Sequence, residues 1–218
     1  ISYYSNNSPY RTFGHNGFGW VEYRRSQDGG QTWSDPKILE YSWETFIDGV
    51  YTISCEKAVV TSNNNLVLFC LRSDSNTKTW EPYFEPTYLI SKDGGETYSE
   101  AKQLCEYRGR IYDARYHDGK IYALMFCNPA TETFYGMDES HVYRLYISED
   151  EGESFYDAGI IPFDTKGRGY GAITFLPDGS LCVYAYNIND EYILDYIISK
   201  DGGKTWGIPG KSYVAKRI

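Results

Sequence analysis

Ser199-Lys200-Asp201-Gly202-Gly203-Lys204-Thr205-Trp206 reads as a strand end, a tight turn and the start of a new strand. Ser26-Gln27-Asp28-Gly29-Gly30-Gln31-Thr32-Trp33 and Ser91-Lys92-Asp93-Gly94-Gly95-Glu96-Thr97-Tyr98 are the same unit, and Ser148-Glu149-Asp150-Glu151-Gly152-Glu153-Ser154-Phe155 is a looser copy. The Asp side chain accepts hydrogen bonds from nearby backbone N–H groups, expected two residues on, and Gly supplies the positive φ angles of a hairpin turn. The closing aromatic is expected to bury its ring against a neighbouring sheet. One such turn is weak evidence, but four with a common ending define a repeat.

The copies start about 50 to 65 residues apart, which is the spacing of four-stranded propeller blades. A second repeat lies between the boxes: strand 58–61, turn 62–65 and strand 66–71; strand 112–116, turn 117–119 and strand 120–127; strand 172–176, turn 177–179 and strand 180–186. A third strand then runs into each box, at 87–90, 142–147 and 192–198. Apolar runs bounded by Gly- and Asp-containing turns are what strands and hairpins require. No segment shows a helical period. Three whole blades are therefore expected between about residues 47 and 207. Part of a blade precedes them (strands 1–5 and 19–25), and the beginning of another inner strand follows.

At 218 residues the chain is long enough for one domain with a sizeable core, read here as a single unit over 1–218 that is incomplete at both ends. Charged residues make up 23% and hydrophobic ones 41%, the balance of a globular protein. No apolar run reaches the length of a membrane span. A net charge of −9 argues against nucleic acid as a partner, since that binding needs a basic face. It leaves room for an anionic small substrate held by a few converging Arg residues. The 23 Tyr fit sheet cores and would also serve as stacking platforms for sugar rings. The five Cys form no CxxC pair, so no zinc site is expected. They read as buried free thiols, slightly favouring a cytoplasmic, reducing compartment.

Arg24-Arg25-Ser26-x-Asp28-Gly29-Gly30-x-Thr32-Trp33 resembles the Asp-box (BNR) repeat of the sialidase, or neuraminidase, superfamily. The resemblance implies an all-β, sialidase-like β-propeller, six-bladed in the family, of which this chain represents about four blades. It implies structural work for Asp28, Asp93, Asp150 and Asp201 on the outer rim, because fold and activity are separate questions. The chemistry it implies is exo-glycosidase hydrolysis of a terminal sugar, anionic or heavily hydroxylated, for which a sialidase uses three Arg on the substrate carboxylate, a Tyr nucleophile, a Glu that activates it and an Asp acid/base. No metal or organic cofactor is implied, and the partner is a glycan or small sugar. The resemblance says nothing of oligomeric state.

The chain departs from that pattern in three places. The family's leading Arg would precede Ile1, and its acid/base Asp would lie between Asn6 and Gly19, where there is no Asp or Glu. In Gly169-Tyr170-Gly171-Ala172, Ala172 stands where the family has Glu. A non-standard catalytic set is then the expectation for a hydrolase. Asp113, Glu56, Tyr170 and His15 are the catalytic candidates, and Arg115, Arg168, Arg217 and Asp48 the substrate-binding ones, because charges at equivalent positions of successive inner strands converge. Each has a plainer reading. Glu56 can pair with Lys57 or an inner Arg, Arg115 can be a solvated strand residue, Asp113, His15 and Asp48 (before Gly49) can be turn residues, and Arg217 can be an ordinary terminal charge. Arg168 sits between glycines that permit close approach or simply make a loop. The alternative function is a non-catalytic Asp-box propeller that binds glycan or protein.

Overall fold

The computed structural model describes residues 2–7, 19–74, 83–128, 141–164, 168–187, 190 and 192–213, of which 2–7, 168 and 169 by backbone alone. Described residues form four antiparallel sheets that follow one another along the chain and do not close into a ring. The first sheet holds β1 (Ser2–Asn7), β2 (Trp20–Arg25) and β3 (Lys37–Ile38). The second holds β4 (Tyr51–Val60), β5 (Leu66–Asp74), β6 (Thr87–Ser91) and β7 (Lys102–Gln103). The third holds β8 (Gly109–His117), β9 (Lys120–Cys127), β10 (Val142–Ser148) and β11 (Tyr156–Ile160). The fourth holds β12 (Arg168–Phe175), β13 (Leu181–Asn187), β14 (Ile193–Ser199) and β15 (Gly210–Tyr213). Strand order within each sheet is chain order, the up-and-down meander of a propeller blade. The inner strands β4, β8 and β12 lie side by side.

The continuous apolar runs are strands buried on both faces. Along β9, Ile121, Ala123, Met125 and Cys127 face a core shared with the second sheet, and Tyr122, Leu124 and Phe126 face a core shared with the fourth. On β5, Val67 and Phe69 point to one seam, Leu68 and Cys70 to the other. Period-two alternation thus divides one hydrophobic run between two cores. Full burial of each such side chain contributes about 1.5–3 kcal/mol, so Phe126→Ala, at the centre of one seam, is expected to cost about 3–5 kcal/mol. The β8–β9 hairpin turns on Asp118 (φ 47°) and Gly119 (φ 76°), with His117 opposite Lys120, the two positive φ angles of a type I′ turn.

The boxes close locally. The Ser26 hydroxyl donates to Asp28 Oδ1 at 2.8 Å and accepts the Gly30 N–H at 2.7 Å. Asp28 accepts the Thr32 N–H at 2.9 Å and the Thr32 hydroxyl at 2.6 Å. The same network recurs around Asp93, Asp150 and Asp201. The main Asp bonds therefore reach four residues on rather than two, with Ser bridging the turn. The second glycine has an added duty: a Cβ at Gly203 would stand 2.4 Å from Leu145 Cδ2, and one at Gly152 2.5 Å from Val67 Cγ2, both on the preceding sheet. The closing aromatics Tyr98, Phe155 and Trp206 pack on the preceding seam, but Trp33 is 41% exposed and bonds back to the Gly30 carbonyl at 3.1 Å.

The absence of helix, expected from the sequence, fails. A helix, α1 (Glu40–Ile47), connects the first and second sheets. It has only two turns and no capping side chain, and its aromatic, β-branched composition reads equally as strand. Tertiary contacts hold it. Trp43 and Phe46 pack on Trp20 with ring centroids 4.9 and 5.6 Å away. Buried Ser42 donates to the Leu39 carbonyl and accepts the Val21 N–H. Gly49 at φ 70° ends it.

All five cysteines are free thiols; Cys70, Cys127 and Cys182 are buried, Cys55 and Cys105 half-buried. Cys55 lies opposite Cys70 across β4 and β5. Among the described residues, no helix is long and apolar enough to cross a membrane. The inner strand expected after the fourth box lies outside the described residues.

Candidate functional site

Each inner strand carries one extra residue against its neighbour at a comparable point. On β4 the register passes from Cys55↔Cys70 to Lys57↔Phe69, leaving Glu56 as the bulge. On β8 it passes from Ile111↔Met125 to Asp113↔Leu124, leaving Tyr112. On β12 it passes from Gly169↔Tyr186 to Ala172↔Tyr184, with Tyr170 and Gly171 between. A bulge bends its strand and re-aims a side chain. The three bulges line one cleft of about 480 Å³, together with Cys55, Lys57, Arg110, Asp113, Arg115 and Ala172.

Charge in the cleft is paired. Arg110 grips Glu56 through Nε at 3.0 Å and through Nη2. Its guanidinium also lies 5.0 Å from the Tyr112 ring centroid and 5.7 Å from that of Tyr83, a cation–π arrangement that suits a planar, weakly hydrated cation. Burial pushes the Tyr112 phenol up to about 12, against the pull of Arg110. Asp113 is buried. It accepts the Ala114 N–H at 3.0 Å and, across the seam, the Ile173 N–H at 3.1 Å. Arg115 Nη2 stands 3.2 Å from Asp113, and Arg115 Nε donates to the Ile173 carbonyl at 3.3 Å, yet its side chain stays 55% exposed. Lys57 is also partly exposed, 4.0 Å from Asp113. The cleft thus offers cationic donors and phenol rings around carboxylates that are already hydrogen-bonded.

Of the residues singled out in the sequence, Glu56, Asp113, Arg115 and Tyr170 meet in this cleft. Glu56 pairs with an inner Arg, one of its plainer readings. Asp48 is elsewhere, exposed at the C-terminus of α1 rather than on an inner strand. The backbone of Arg168 opens β12 opposite Asn187. His15 and Arg217 lie outside the described residues. Ala172, where the resemblance expects Glu, lines the cleft with no acid group. Sequence reading missed Arg110, Tyr112 and Lys57. Arg110 and Lys57 lie on stretches of β8 and β4 that begin earlier than the apolar alternation indicates. An Arg-x-Tyr-Asp-x-Arg run on one strand was the available signal.

Among the described residues, no group of three or more His, Cys, Asp or Glu could hold a metal ion.

The BNR/Asp-box repeat family matches residues 24–35. No curated protein matches the sequence. Among solved structures, the chain is similar to the Hadza microbial sialidase Hz136, with TM-score 0.66 and 15% identity over 86% of this chain and 39% of that one. It is similar to the intramolecular trans-sialidase from Ruminococcus gnavus in complex with oseltamivir carboxylate, with TM-score 0.61 and 13% identity over 93% of this chain and 66% of that one. The Trypanosoma rangeli sialidase in complex with sialic acid matches with TM-score 0.61 and 18% identity over 89% of this chain and 33% of that one. The chain spans from about a third to two thirds of the length of these structures. Box, blade order and these likenesses agree: the fold is that of the sialidase-like, Asp-box β-propellers.

Proposed function

We propose that this protein is carbohydrate-active in the sialidase manner, taking a terminal acidic sugar of a glycan into the cleft between β4, β8 and β12. The observation that supports it is the exposed Arg115 guanidinium, anchored from behind by Asp113 and the Ile173 carbonyl, beside Lys57 and the phenol rings of Tyr112 and Tyr170. A guanidinium pre-organised in this way suits a carboxylate, which it holds by charge-assisted bonds. Exo-glycosidase chemistry would draw its proton transfer from Glu56, Asp113 or His15, a carboxyl pair being the minimal machinery.

A second reading, a glycan-binding propeller without catalysis, is favoured by two observations. Glu56 and Asp113 are both tied into the protein, and Ala172 leaves no further carboxylate in that position. Turnover of aryl glycosides, an α-sialoside included, alongside equilibrium binding of the same sugars, separates the two. Sialoside turnover that falls at least tenfold in Arg115→Ala supports the hydrolase. Binding without turnover supports the binding module, and neither binding nor turnover removes both.

A further inference from the structure

We propose that Tyr170 is a stacking platform for the apolar face of a pyranose ring, and that its strained backbone is maintained for this contact rather than for a nucleophile or a proton carrier. The inference rests on the glycan reading above and names how the same cleft orients its sugar.

Tyr170 has φ 53°, a region in which a bulky side chain is a steric outlier. Glycine would take that conformation without steric cost, so the backbone does not call for tyrosine. The core does not call for it either, because Tyr170 is 51% exposed. The arch itself has a packing cause one residue on. A Cβ at Gly171 would stand 2.7 Å from Tyr143 Cε1 and 2.9 Å from Leu124 Cδ2, so the chain is pressed onto the seam at 171 and bulges at 170. The ring at the crest meets Tyr112 at 5.9 Å and 62°, and Tyr186 at 6.4 Å and 64°. Neither ring lies flat on it. Strain retained at an exposed aromatic in a cleft points to function, and the cleft's other groups say which. Arg115 and Lys57 take an acid group, while a phenol ring takes the C–H face of the sugar that carries it.

Titration of methyl α-sialoside and methyl β-galactoside into the wild-type protein and into Tyr170→Phe, Tyr170→Gly, Tyr170→Asn and Arg115→Ala tests this, with a thermal melt of each variant. Tyr170→Phe keeps the face and should bind within about twofold of wild type. Tyr170→Gly and Tyr170→Asn, both compatible with the positive φ, should bind about tenfold more weakly while melting no lower than wild type. Unchanged affinity in the Gly and Asn variants overturns the inference. So does a loss in Tyr170→Phe as large as in Tyr170→Gly, which would make the hydroxyl the working group. If the wild-type protein binds neither sugar, the glycan reading fails and the platform with it. If Arg115→Ala weakens binding but Tyr170→Gly does not, the platform alone fails.

Discussion

The carboxylate of Asp113 on β8 accepts the backbone N–H of Ile173 on β12 at 3.1 Å, so one side chain joins two inner strands. The same carboxylate takes the Ala114 N–H at 3.0 Å. Removing it strands two buried donors, each worth about 1–3 kcal/mol when unsatisfied. Asp113→Ala should therefore lower unfolding free energy by about 2–4 kcal/mol in urea titration. Asp113→Asn retains one acceptor oxygen and should lose about 1 kcal/mol. Wild-type stability in both variants would show that the Asp113 bridge does not hold the two inner strands together.

Arg110 on β8 and Glu56 on β4 are 54 residues apart in the chain and are both mostly withdrawn from water. Breaking such a pair leaves one charge without its partner, whereas replacing both with apolar groups can be nearly neutral. Glu56→Ala should cost about 2 kcal/mol, below the range for a fully buried pair because Arg110 keeps some solvent contact. The double variant Glu56→Leu/Arg110→Met should come within about 1 kcal/mol of wild type. A double variant as destabilised as the sum of Glu56→Leu and Arg110→Met would mean that the two residues do not act on each other.

What was legible in the sequence follows from distance along the chain. An Asp box closes within eight residues, through Ser to Asp and Asp to Thr, so its residue types announce it. The two-faced strands were legible because alternation survives inside an apolar run, as in Ile121 to Cys127. The bulges were not, since Glu56, Tyr112 and Tyr170 are extra only by comparison with partner strands. Arg110 went unseen because its partner lies on another blade. Helix α1 was hidden for a related reason: Trp20 and Val21, not its own sequence, hold it. Asp48 reads as an inner-strand residue in the sequence because nothing local separates the end of α1 from the start of β4 at Tyr51.

The looser third box carries a different compromise. Glu151 stands where the other boxes have glycine, at φ 61°. Its carboxylate accepts the Tyr116 hydroxyl at 3.1 Å, the Ser62 hydroxyl at 3.2 Å and the Asn63 N–H at 3.4 Å, bracing the β4–β5 turn. Glu151→Ala loses the brace and keeps the strain. Glu151→Gly loses the brace but relieves the strain, which costs an L-residue about 1–2 kcal/mol. The Gly variant should therefore be the more stable by about 1 kcal/mol in thermal or urea unfolding. Equal stabilities would show that position 151 is not strained.

Acid should weaken the boxes in a defined window. Hydrogen bonds from the Thr97 hydroxyl, the Thr97 N–H and the Ser91 hydroxyl hold Asp93 at about 2, below its ordinary 3.8. Thr205 and Ser199 do the same for Asp201, also to about 2. A carboxylate whose folded pKa is depressed stabilises the fold above its unfolded pKa, and that contribution is lost as pH falls through the folded value. Thermal midpoints should thus hold above about pH 4 and fall progressively toward pH 2. Replacing both residues, Asp93→Asn/Asp201→Asn, removes two of the titrating groups. That variant should start lower at pH 5 and fall less steeply, so its curve converges on wild type near pH 2. Parallel curves would place the acid sensitivity in other carboxylates.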